Sequence, residues 1–93
     1  MTQTITELAF YTTDGCHLCE QAKPLLQQLL AQYSGRYQIE VIDIVESDAL
    51  IEQYGHHIPV LTNHKHGQAP LNWPFDYTDL LTYLELIPTN AER

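Results

Sequence analysis

The sequence predicts a single α/β domain in the order βαβαββα. Two patterns carry that expectation. Short apolar or alternating stretches recur between segments whose apolar residues have helical spacing. The first three elements read strand, helix, strand, which makes a right-handed unit with parallel strands.

Glu7 to Thr12 is short and apolar-aromatic, as a buried central strand would be. Thr13-Asp14-Gly15 is a turn. From His17 to about Tyr33, Leu18, Ala22, Leu25, Leu26, Leu29, Leu30 and Tyr33 fall on one face of a helix. Gly35 is the expected C-terminal cap, and Pro24 removes one backbone donor and should kink the helix. Tyr37 to Ile44 alternates apolar and polar residues and reads as a strand. Ser47 or Asp48 caps a short helix through Tyr54, with Leu50, Ile51 and Tyr54 turned inward and Gly55 closing it. His57 to Thr62 is a third strand, and Asn63 to Gly67 a hairpin loop. Gln68 to Phe75 carries Pro70 and Pro74, which cannot donate to a ladder, so this strand belongs at an edge. Asp76 caps a last helix through about Ile87, with Leu80, Leu81, Leu84 and Ile87 facing the core. Pro88 follows, and the tail from Thr89 is expected to fray.

The chain of 93 residues is 44% hydrophobic and 10% aromatic, which suits a globular domain spanning 1–93. A chain of this size buries roughly 60 to 70% of its unfolded surface, enough for one modest core. The formal charge is −8, with Lys23, Arg36, Lys65 and Arg93 as the only bases. That balance argues against nucleic acids and anionic membranes as partners, while leaving a basic protein partner open. The N-terminus lacks a basic n-region and an apolar h-region, and no apolar run is long enough to span a bilayer. The expected location is the cytoplasm, and the expected state a monomer.

Cys16 and Cys19 are the only cysteines. They follow the first strand and its turn and open the first helix. A helix N-terminus offers unpaired N–H groups and the positive end of the macrodipole, both favouring thiolate over thiol. A second cysteine three residues along can attack a mixed disulfide formed by the first. The pair therefore reads as a redox centre, with Cys16 as nucleophile and Cys19 as resolving residue. Cysteines so placed have pKa values lowered to roughly 3.5–7.5 from about 8.5. His17, when protonated, tunes the pKa of Cys16 downward, while Asp14, Glu20 and the overall charge oppose it, so a moderate lowering is expected.

The element order, the Cys16-His17-Leu18-Cys19 motif and Ile58-Pro59 at the head of the third strand resemble the glutaredoxin branch of the thioredoxin fold. More narrowly, Tyr11 to Glu20 and Tyr54-Gly55-His56-His57-Ile58-Pro59-Val60-Leu61 are similar to small bacterial glutaredoxin-like proteins of the Cys-His-Leu-Cys type. The resemblance runs from Leu8 to Ile87. It implies a four-stranded mixed sheet with helices on both faces and thiol–disulfide oxidoreductase activity. It also implies a cis Ile58–Pro59 bond beside the sulfurs, where the N–H and C=O of residue 58 pair with an extended substrate. Ile58, Pro59, His57 and Asp76 are the implied substrate-binding residues. Implied partners are disulfide-containing proteins or low-molecular-weight thiols, with a reductase or glutathione as electron donor.

No tightly bound cofactor is expected; glutathione would enter as a co-substrate. Two departures bear on it. No lysine precedes Cys16, where Thr12, Thr13 and Asp14 stand instead. The turn that would grip the γ-glutamyl end is Asn72-Trp73-Pro74-Phe75-Asp76, without glycine, leaving Asp76 as its only acid.

Two other readings stay open. Cys16, Cys19 and two of the five histidines could form a zinc site or the protein an iron–sulfur one, although His64 and His66 lack the usual spacing. The fold could also serve as a docking module in which the cysteines take no part.

Overall fold

The computed structural model describes residues 5–63 and 68–86. Strand β1 (Thr6–Thr12) is followed by helix α1 (His17–Gln32), strand β2 (Tyr37–Asp43) and a single 3-10 turn (Ile44–Glu46). Helix α2 (Asp48–Tyr54), strands β3 (Val60–Asn63) and β4 (Leu71–Asn72) and helix α3 (Tyr77–Tyr83) complete the order. The sheet runs β2-β1-β3-β4. β1 is parallel to β2 and antiparallel to β3, and β3 is antiparallel to β4, which makes the sheet mixed.

The two-residue period of β1 divides the core. Leu8 and Phe10 pack with Cys19, Ala22, Leu26 and Leu29 of α1, Leu61 of β3 and Leu80 of α3. Ala9 and Tyr11 point to the other face, where Ile44 and Val60 close a second cluster with Leu50 and Tyr54 of α2 beside it. Helices therefore cover both faces of the sheet. Fully buried Leu8, Phe10, Leu29, Leu61 and Leu80 each contribute roughly 1.5–3 kcal/mol through removal from water.

Several boundaries differ from the sequence expectation. The inward stripe of α1 is Cys19, Ala22, Leu26 and Leu29, while Leu18 is 44% exposed and Leu30 37%. Neighbouring helical positions lie about 100° apart, so Cys19 in the core turns Leu18 toward solvent. The helix is continuous across Pro24, and Tyr33, not Gly35, is its C-cap. Gly35 instead takes a left-handed φ of 82° in the turn into β2. Asp43 ends β2 one residue early, because its side chain accepts the Val45 N–H at 3.1 Å and starts the 3-10 turn. Ile51 faces solvent at 42% exposure, since α2 is only seven residues long and turns Leu50 and Tyr54 to the sheet.

β3 begins at Val60 because the N–H groups of His57 and Ile58 both go to the Tyr54 carbonyl and prolong the helix end as a turn. β4 pairs only at Leu71 and Asn72, between two prolines that lack donors. α3 ends at Tyr83, because Glu85 enters the left-handed region at φ 60° and reverses the chain. The expected hairpin loop residues 64–67 and the expectations for Ile87 and the tail lie outside the described residues. Among the described residues no helix is long and apolar enough to cross a membrane.

Candidate active site

β1 delivers the chain to Thr12, and the turn that follows needs Gly15 in a left-handed conformation, φ 79°. A side chain there would meet nothing within 4 Å, so the constraint is backbone conformation rather than space. The turn places Cys16 as the N-cap of α1, a role usually filled by Ser, Thr, Asp or Asn. Its Sγ accepts the Cys19 N–H at 3.1 Å. The same sulfur is bonded to Cys19, with Cα atoms 5.2 Å apart, inside the usual range for a disulfide.

The two sulfurs have different surroundings. Cys16 is half-buried at the margin of the main core, whereas Cys19 is 1% exposed and part of that core. Cys16 keeps some exposure and Cys19 almost none. Cys16 caps and Cys19 lies in the first turn of a 16-residue helix, where the macrodipole places about half a positive charge. Exposed Glu20, one turn after Cys16, pairs with Lys23 at 3.1 Å.

His17 is exposed at the first helical position, between the cysteines in sequence. Ile58–Pro59 is a cis peptide, as is Trp73–Pro74. Pro59 is fully buried, and Ile58 packs between the two core clusters, sharing the first with Cys16 and Cys19. The Ile58 N–H donates to the Tyr54 carbonyl at 3.1 Å, so this N–H is already used within the chain and is not free for the expected pairing with a substrate strand. His57 is exposed in the preceding turn. Tyr54 anchors that turn by stacking on Tyr11, ring centroids 4.1 Å apart. Burial, and then the neighbouring Tyr11, push the Tyr54 phenol above its ordinary range.

Asp76 caps α3. Its carboxylate accepts the Asp79 N–H at 2.8 Å, and the Asp79 carboxylate accepts the Asp76 N–H at 3.0 Å. The pair closes a capping box. Trp73 packs edge-on against buried Phe75, centroids 5.1 Å apart, as part of the core margin. Sequence reasoning missed the capping role of Cys16. The signal was a side-chain acceptor standing immediately before a helical pattern, and sulfur is outside the usual set of caps.

Arg36 is remote from this site. It precedes Tyr37, the partner of Thr6 at the start of β1, whereas Cys16 follows the end of β1. A hollow of about 390 Å³ lies beside Arg36, lined also by Thr6, Asn63 and Tyr83. Among the described residues no three His, Cys, Asp or Glu side chains come together to hold a metal ion.

A family model described as glutaredoxin-like domain (DUF836) matches residues 7–85. A structural-genomics target protein from X. campestris, solved by crystallography, is 34% identical over 87% of this chain and 99% of its own, with a TM-score of 0.69. A protein from Nitrosomonas europaea, solved in solution, is 26% identical over 89% of this chain and 98% of its own, with a TM-score of 0.66. Thioredoxin-2 of the malaria parasite, 14% identical over 94% of this chain and 87% of its own, shares the thioredoxin fold at a TM-score of 0.70. The search of curated proteins found no match.

Proposed function

The chain belongs to the glutaredoxin-like domain family, and from that premise we propose that it is a thiol–disulfide oxidoreductase working through Cys16 and Cys19. The observation that carries this reading is the asymmetry of the pair. Cys16 Sγ caps the helix and its residue is only half-buried, while Cys19 is enclosed by apolar side chains.

In the reduced protein the Cys16 thiolate attacks one sulfur of a client disulfide. The client's other sulfur leaves as thiolate, and a mixed disulfide joins Cys16 to the client. The Cys19 N–H and the helix N-terminus favour the attacking thiolate. Cys19, losing its proton, then attacks Cys16 Sγ and expels the remaining client thiolate. Two electrons have passed to the client, and Cys16–Cys19 is oxidised. A thiol donor, either a dithiol protein or glutathione, returns the pair to the reduced form. The cytoplasm, where dithiols are kept reduced, suits this direction.

The test is acid-quenched alkylation of reduced protein mixed with a disulfide-bonded peptide. The native protein should form its internal disulfide and release both peptide thiols. Cys19→Ser should stop at a mixed disulfide on Cys16, and Cys16→Ser should form none of this adduct. Equal adduct on both variants would refute the assignment of roles.

A further inference from the structure

The strand directions bring several carboxylates to the end of the sheet where Cys16 follows β1. β1 and β2 leave the sheet at the same end, as shown by Thr12 pairing with Asp43. β3 enters and β4 leaves there too, since Val60 pairs with both Tyr11 and Asn72. At this end stand Asp14 in the turn before Cys16, Glu20 in the first turn of α1, Asp43 as the last residue of β2, Glu46 and Asp48 just after it, and Asp76 after β4. Among the described residues the only Lys or Arg side chains are Lys23 and Arg36. Lys23 is paired with Glu20, and Arg36 lies at the opposite end of β1. Leu18, two residues after the half-buried Cys16, is apolar and exposed.

Resting on the exchange reading above, we propose that this end of the protein selects cationic polypeptide clients, disulfides flanked by Lys or Arg, over anionic small-molecule disulfides. The disulfide is the site, and the surrounding carboxylates set which partners approach it. A cation-bearing client is drawn in along the field and brought to Cys16. An anionic client such as glutathione disulfide meets like charge with no free Lys or Arg among the described residues to offset it. The chemistry is unchanged. Cys16 forms a bond to the client sulfur as the client S–S bond breaks, and Cys19 completes the two-electron transfer, with a dithiol reductant resetting the pair.

The experiment uses the reduced full-length protein and two peptides enclosing the same disulfide loop, one flanked by two Lys and one by two Glu. Rates are measured at about pH 8, above the ordinary histidine range, and normalised to each peptide's rate with the neutral dithiol dithiothreitol. The Lys peptide should react on the order of tenfold faster at about 20 mM salt, and the gap should shrink below about twofold at about 0.5 M. Glutathione disulfide should follow the Glu peptide. The double variant Asp14→Asn, Glu20→Gln, altered only at exposed positions, should narrow the low-salt gap. Equal normalised rates for the two peptides at low salt, or a gap indifferent to salt, would overturn the selection while leaving exchange intact. If neither peptide oxidises the pair, the exchange reading fails and the selection falls with it.

Discussion

Glu85 offers a direct test of how α3 ends. It takes φ 60° just after the helix, where its N–H donates to the Thr82 carbonyl at 3.0 Å and the next N–H, of Leu86, to the Leu81 carbonyl at 2.8 Å. This is the Schellman arrangement, with Glu at the position that most often holds Gly. A left-handed conformation costs an L-residue roughly 1–2 kcal/mol. Glycine removes that cost but gives back about 0.5–1 kcal/mol through the greater freedom of the unfolded chain. Glu85 is exposed, so little packing is lost, and Glu85→Gly should stabilise the protein by about 0.5–1 kcal/mol. That corresponds to about 2–8 °C in Tm and about 0.5 M in the urea midpoint.

The assay is urea and thermal unfolding followed by circular dichroism, with both proteins held oxidised. Glu85→Ala is the control. It keeps a Cβ at positive φ and removes only the charge, worth about 0.3 kcal/mol near a helix C-terminus. A Gly variant no more stable than the Ala variant would refute the backbone argument.

Asp76→Ala should cost about 1 kcal/mol in urea unfolding through loss of the α3 cap, while Asp76→Asn, which still accepts the Asp79 N–H, should cost much less. Leu29→Ala, in the fully buried stripe of α1, should cost about 2–5 kcal/mol by the same assay, from lost transfer energy and a residual cavity. Burial raises the Tyr83 phenol above its ordinary value, partly countered by the Asn63 N–H, and burial also raises Tyr37 and Tyr54. The folded state thus holds these protons more tightly than the unfolded one. Their contribution is complete below about pH 10 and is lost as pH rises through the raised values. The urea midpoint should fall above about pH 10, and less steeply in Tyr83→Phe; an identical slope in the variant would exclude a part for Tyr83.

The strands and helices were legible because burial imposes a period. The alternation of Leu8 and Phe10 against Ala9 and Tyr11 corresponds to two covered faces, and Ser47 and Asp76 are ordinary helix caps. The cysteine pair was legible from its place between a strand and a helix. What escaped were features whose usual residue signs are missing. Glu85 sits where glycine would have announced a left-handed turn. Cys16 caps with sulfur where oxygen would have announced an N-cap. The outward turn of Leu18 depended on Cys19 being a core residue, which hydrophobic spacing alone did not reveal. The Ile58 N–H was spoken for by a carbonyl four residues earlier, a local bond invisible in the residue types.

Tyr83 gives the chain's last described helix a hold on its middle. Its hydroxyl donates to the Ala69 carbonyl at 2.7 Å and accepts the Asn63 N–H at 3.3 Å, joining the segments before β4 and at the end of β3. The same turn of α3 receives the Gln68 side-chain amide on the Tyr83 carbonyl, at 3.0 Å. During synthesis, β1 to β4 emerge before any of these partners exists. The Asn63 amide and Ala69 carbonyl are then left to water, and Leu80 is missing from the sheet's main face. The bonds that tie the end of β3 and the segment before β4 to this helix therefore require α3 to be formed and docked.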